Sequence, residues 1–177
     1  MHLTLIRHTS VAVPPGVCYG QSDVPVSASF RDEAEIVSGK LQNRVFDVVY
    51  TSPLSRCTAL ARHCGYAEAE TDHRLMEMNF GNWEMKNWDE IDDPRLPLWF
   101  DNWQTCPTTN GESFQQLMNR IGHFTNEIKK QYPDNTRVAL FTHAGVIRVM
   151  GILCGLFAAE KAFDYRVSYG DVIEMSL

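Results

Sequence analysis

Leu3-Thr4-Leu5-Ile6-Arg7-His8-Thr9-Ser10 is the stretch from which the fold of this chain can be read. Leu3, Leu5 and Ile6, with Thr4, make a compact and mostly apolar run, the pattern of a short strand covered on both faces. Two polar residues of particular chemistry follow at once. Arg7 and His8 fall at the strand's carboxyl end, where open α/β sheets place their ligand sites. An imidazole can act as a nucleophile and carry a covalent intermediate. A guanidinium presents a fork of donors that matches phosphate oxygens. A surface strand end can also carry an Arg-His pair, so the rest of the chain decides its meaning.

Downstream, residues 9–25 are rich in Pro, Gly and Ser and read as a loop over the strand end. Ser27 is placed to cap a helix reaching Asn43, with Ala34, Val37 and Leu41 on its apolar face. Residues 47–50 form a second strand, ended by Thr51-Ser52-Pro53. Residues 54–64 form a helix with Leu54, Cys57, Ala61 and Cys64 on one side. Arg56 lies in its first turn, again just beyond a strand's carboxyl end. Residues 71–75 read as a short strand. Residues 76–104 hold all four tryptophans and several carboxylates without clear periodicity, as expected of irregular chain with short helices. Residues 112–131 are a helix with Phe114, Leu117, Ile121, Phe124 and Ile128 inward. Residues 137–141 are the clearest strand. Thr142-His143-Ala144-Gly145 leads into a helix ending near Gly155, and strand-like runs at 165–167 and 172–175 close the chain. Strands alternate with helices, with no linker, repeat or low-complexity segment. The expected fold is a three-layer α/β/α sandwich around a mostly parallel sheet, formed by a single domain over 1–177.

Composition narrows the function. A length of 177 residues suits one core. With 44% hydrophobic and 21% charged residues the chain reads as globular rather than disordered. A net charge of −6 argues against general nucleic-acid binding, though not against a local anion pocket. Five cysteines are an odd number without C-x-x-C spacing. Cys57 and Cys64 would be about 10 Å apart along a helix, too far to bridge. That usage fits a reducing cytoplasm. Met1 leads straight into a strand with no basic leader, and no apolar run approaches membrane-spanning length.

The strand order brings Arg7, His8, Arg56 and His143 to one sheet edge. The amides of Ala144 and Gly145, opening a helix, would add anion donors. Two arginines and two histidines suit a phosphoryl group, whose equatorial oxygens need charge stabilisation while a nucleophile attacks in line. His8 is the candidate nucleophile. A carboxylic acid must protonate the leaving oxygen, and on chemistry alone either Glu77 or Glu84 serves. Gln21 and Ser22, in the Gly20-Gln21-Ser22-Asp23 turn, are further candidates for substrate contact. No cysteine-phosphatase loop, G-x-S-x-G elbow, Walker loop or dinucleotide fingerprint is present. No pair of histidines sits at metal-helix spacing, so no metal and no cofactor are expected. His2, His63, His73 and His123 lack companions and read as ordinary histidines.

Ile6-Arg7-His8-Thr9, Ser52-Pro53-Leu54-Ser55-Arg56, Glu77 through Gly81-Asn82-Trp83-Glu84, and Thr142-His143-Ala144-Gly145-Val146-Ile147-Arg148 together resemble the four signatures of the histidine phosphatase (phosphoglycerate mutase-like) superfamily, in that family's order. The stretch 74–85, with Asp101-Asn102-Trp103-Gln104, 107–114 and Tyr165-Arg166-Val167, is similar to α-ribazole phosphatases, which act in cobalamin nucleotide-loop assembly. The resemblance implies a phosphohistidine on His8, Glu77 as acid and then base, and Arg7, Arg56 and His143 on the phosphoryl oxygens, with a small phosphomonoester as the partner. The chain departs from the family at Thr9, where Gly is usual, and at Pro14, where Asn is usual. Phe30 and Glu33 stand where Gly and Gln are common. Arg148 is expected to be structural. Trp83, Trp88, Trp99 and Trp103 are expected to pack mostly in the core or a lid, with one or two lining a substrate pocket that takes a flat heterocycle. A sugar-phosphate phosphatase or a mutase is the alternative. A silent phospho-ligand-binding module ranks below both, since His8 and Glu77 are both present.

Overall fold

A computed structural model describes residues 1–177. The chain runs β1 (His2–Arg7), β2 (Val17–Cys18), α1 (Phe30–Leu41), β3 (Val48–Thr51), α2 (Ser55–His63), β4 (Glu70–Thr71), β5 (Lys86–Asn87), α3 (Arg95–Asn102), α4 (Phe114–Gln131), β6 (Arg137–Thr142), α5 (Ala144–Leu153) and β7 (Val172–Ser176). Five strands form the main sheet in the order β4-β3-β6-β1-β7. All neighbours are parallel except β7, which returns antiparallel along the edge of β1.

Alternation along the central strands sets the two helical layers. Leu3 and Leu5 of β1 and Val138 and Leu140 of β6 join the cluster built with α4, α5 and the aromatic segment. Ile6, Ala139 and Phe141 point the other way, into a cluster with α1 and α2. Successive strand side chains face opposite sides, so one apolar run feeds both cores. Leu5 is fully buried, and truncating such a side chain to Ala costs about 2–5 kcal/mol.

Several local expectations shift. α1 starts at Phe30, and Ser27 does not cap it: the Ser27 hydroxyl instead meets those of Ser10 and Ser29. The strand expected over 71–75 is only Glu70–Thr71. Asp72 then accepts from the Arg74 amide and turns the chain into a 3₁₀ turn over His73–Leu75. α4 begins at Phe114 because Ser113 and Gln116 close a capping box. Residues 165–167 are not a strand. Residues 76–104 are irregular with short helices, as their sequence implied, and the β2–β5 pair ties them to the first loop.

Candidate active site

β1, β6 and β3 are parallel neighbours in register, with Arg7 opposite Thr142 and Thr51 opposite Phe141. Their carboxyl ends therefore lie side by side. His8 follows β1, Ser52 and Arg56 follow β3, and His143 follows β6. A main-chain bond from the His8 amide to the Thr142 carbonyl (3.1 Å) locks two of these ends together.

His8 is 1% exposed. Its Nδ1 lies 2.7 Å from the carbonyl oxygen of Thr9. A carbonyl can only accept, so Nδ1 carries the proton and Nε2 keeps its lone pair. The pKa is pushed down to about 3, first by burial, then by Arg56 and Arg7, against the opposing bond to Thr9. Loss of water is the largest cause, ahead of the two positive neighbours.

Arg56 is fully buried and donates to the carbonyls of Ser22 (2.9 Å) and Gly20 (2.7 Å). Arg7 donates to the Val167 carbonyl at 2.6 Å. Neither arginine is ion-paired with a carboxylate, and the Nε of each is buried with no partner. Arg56 is held out of water and Arg7 is partly buried, and guanidinium charges so placed without a counter-charge are costly unless an anion completes them.

The His143 ring centroid is 5.2 Å from that of His8. His143 Nε2 is 2.8 Å from the Ser52 hydroxyl, which fixes the ring. Burial, then His8, Arg56, Arg7 and Arg120, holds its pKa well below the ordinary value. Ala144 is the first residue of α5, and its amide is one that a helix leaves without an internal partner. The Gly145 amide is already taken: it donates to Glu77 Oε2 at 3.1 Å.

The two candidate carboxylates differ in what they are free to do. Glu84 accepts four bonds, from the amides of Gln21, Ser22 and Phe80 and from the Ser22 hydroxyl, all within 2.6–3.0 Å. That fills its acceptor sites and makes it a brace for the first loop. Gly20 sits at φ +40 against this carboxylate and the Met78 carbonyl, where no Cβ fits. Glu77 accepts only two amides, those of Met78 (2.9 Å) and Gly145, and keeps a lone pair on each oxygen. Its carboxyl group lies so close to α5 that a Cβ on Gly145 would overlap Oε1.

Gln21 and Ser22 are engaged inside the loop. Gln21 Nε2 donates to the Glu77 carbonyl (2.9 Å), and the Ser22 hydroxyl is bound to Glu84. These bonds tie the first loop to residues 77 and 84. Arg148 donates to the Tyr165 carbonyl at 3.2 Å, the structural place expected of it. Residues the sequence reading passed over are Ser52, Tyr19 and Tyr169. The Tyr169 ring packs 4.0 Å from the Arg7 guanidinium and that of Tyr19 5.1 Å from Arg56, and their hydroxyls meet at 3.0 Å. Ser52 stood in a recognised motif and could have been given a role. The two tyrosines come from loops without any periodic signal.

The arrangement can hold a tetrahedral dianion against an unprotonated imidazole, with a carboxyl group near by. The sequence pattern of the histidine phosphatase superfamily (branch 1) matches residues 3–176. The chain belongs to this superfamily. It is 29% identical over 178 residues to the adenosylcobalamin/alpha-ribazole phosphatase of Escherichia coli (strain K12), covering 96% of this chain and 87% of that protein. It is 28% identical over 166 residues to phosphoserine phosphatase 1 of Hydrogenobacter thermophilus, covering 89% and 77%. The crystal structure of the alpha-ribazole phosphatase from Shigella flexneri superposes with a TM-score of 0.85 at 28% identity, over 98% of this chain and 89% of that one. The protein is thus a histidine phosphatase with the phosphoglycerate mutase-like fold. No helix is long and apolar enough to cross a membrane.

The four tryptophans belong to the main core. Trp83 and Trp99 are buried, Trp88 stacks on Trp99 (5.8 Å between centroids), and Trp103 packs against Phe114 and Phe163. Trp83 Nε1 donates to Asp93 at 2.7 Å. These are packing contacts, and Trp88 and Trp103 are only partly buried.

Proposed function

We propose that this phosphatase hydrolyses α-ribazole 5′-phosphate through a phosphohistidine on His8. The observation that carries the chemical reading is the Thr9 carbonyl on His8 Nδ1, which leaves Nε2 as a lone-pair nucleophile beside two arginines lacking counter-charges. Nε2 attacks phosphorus and the bond to the ester oxygen breaks. The Glu77 carboxyl gives its proton to that oxygen. Arg7, Arg56 and His143 hold the three equatorial oxygens, and the Ala144 amide adds a donor at the helix end. In the second half, the Glu77 carboxylate takes a proton from water, the water oxygen attacks phosphorus, and the N–P bond breaks to release phosphate.

The choice of leaving group rests on the likeness of residues 74–85 and 101–114 to α-ribazole phosphatases and on the relatives from Escherichia coli and Shigella flexneri. Phosphoserine is the second reading, favoured by the Hydrogenobacter thermophilus relative. Purified protein should be assayed against α-ribazole 5′-phosphate, phosphoserine and sugar phosphates. The highest kcat/KM is expected on α-ribazole 5′-phosphate, and a higher value on phosphoserine would overturn that choice. Turnover of a ³²P-labelled substrate quenched into base should leave label on the peptide containing His8. Label elsewhere would overturn the mechanism.

A further inference from the structure

We infer that Arg120, on α4, is a positioning residue that sets the geometry of Glu77; the inference rests on Glu77 being the acid proposed above. The segment carrying Glu77 has no strand or α-helix of its own: it runs from the 3₁₀ turn at His73–Leu75 to that at Gly81–Trp83. Something outside the segment must therefore hold its backbone. Arg120 Nη1 donates to the carbonyls of Arg74 (2.6 Å) and Met76 (2.9 Å), and Nη2 donates to that of Glu77 (3.2 Å). One planar guanidinium thus spans three carbonyls around the turn in a rigid fork, a geometry that the rotatable donors of a single ammonium do not impose.

Two further contacts complete the frame. Glu112 Oε1 accepts from Arg120 Nη2 (2.6 Å) and from the Asn79 amide (2.8 Å), so the ion pair grips the segment on both sides of Glu77. The Glu77 carbonyl also accepts from Gln21, whose own amide is held by Glu84. Both lone pairs of that carbonyl are then occupied by side chains from two separate parts of the fold. The Arg120 charge is matched by Glu112, and the guanidinium reaches the Glu77 main chain rather than its carboxylate. Its effect on Glu77 is orientation, exerted through the backbone that aims the carboxyl group toward the Gly145 amide.

A brace of this kind and a merely stabilising tie differ in what they do to leaving-group dependence. kcat/KM reports the steps up to phosphoenzyme formation, in which the acid matters for an alkoxide leaving group and little for p-nitrophenolate. Arg120→Met and Arg120→Lys should be compared on an alkyl phosphate and on p-nitrophenyl phosphate. Lys is the second variant, because it keeps the charge beside Glu112 should Met fail to fold. The expected loss is about tenfold or more on the alkyl ester and less than about threefold on the aryl ester. In a Glu77→Gln background neither change should cost more. Equal losses on both esters, or losses that persist with Glu77→Gln, would overturn the inference. Glu77→Gln measured alone tells the two failures apart. A uniform loss there overturns the acid assignment and the brace with it, whereas a selective loss there with a uniform loss for both Arg120 variants overturns the brace only.

Discussion

Gly145→Ala tests the site through one methyl group. Gly145 is the second residue of α5, and its amide donates to Glu77 Oε2. A Cβ at this position would overlap Glu77 Oε1, come within 3.2 Å of its Cδ, and meet Leu117 Cδ2 at an ordinary 3.4 Å. The helix cannot retreat, since Ala144, Val146 and Ile147 are buried around it, so the carboxyl group moves. Relief of the overlap takes about 1 Å, and a misplacement of that size costs about 10²-fold, or about 2.7 kcal/mol in the barrier. Complete loss of the acid would cost up to about 10⁴-fold. Alanine favours a helix over glycine by up to about 1 kcal/mol, so the melting temperature should hold. The assay is kcat/KM on an alkyl phosphate and on p-nitrophenyl phosphate, with a thermal melt alongside. The loss should fall on the alkyl ester. Full activity on both esters, or equal losses with an unchanged melt, would refute the reasoning about Glu77.

Two more outcomes are expected. His8 and His143 both have folded pKa values below the ordinary 6.5, so below that pH the unfolded chain binds protons that the folded one does not. Their contribution to stability is complete above pH 6.5 and is lost as pH falls toward the folded value, about 3 for His8, at about 1.4 kcal/mol per pH unit for each histidine. Urea melts between about pH 6 and about pH 5 should show this slope, and His8→Gln should remove about half of it; an unchanged slope would count against a neutral buried His8. Dialysis against a strong chelator should leave the rate unchanged, because the arginines supply the charge that a divalent ion would otherwise supply. A loss restored by Mg²⁺, Mn²⁺ or Zn²⁺ would reject this mechanism.

The sequence by itself determined the parts of this protein that local pattern controls. Leu3 to Ile6 announced a doubly covered strand, and the alternation of strands and helices announced the layers. The residues just beyond the strand ends, His8, Arg56 and His143, were legible because a parallel sheet gathers its carboxyl ends on one edge. Tertiary structure decided what depends on partners distant in the chain. Glu77 and Glu84 have the same side chain seven residues apart, and the bonds from Gln21, Ser22 and Phe80 to Glu84 and from Gly145 to Glu77 distinguish a saturated brace from an available carboxyl group. Gln21 and Ser22 turned inward for the same reason. Arg120 looks like any arginine on an amphipathic helix until α4 is packed against the 74–77 segment. Burial, which lowers the His8 pKa more than its charged neighbours do, is a property of the assembled core and of no single stretch of chain.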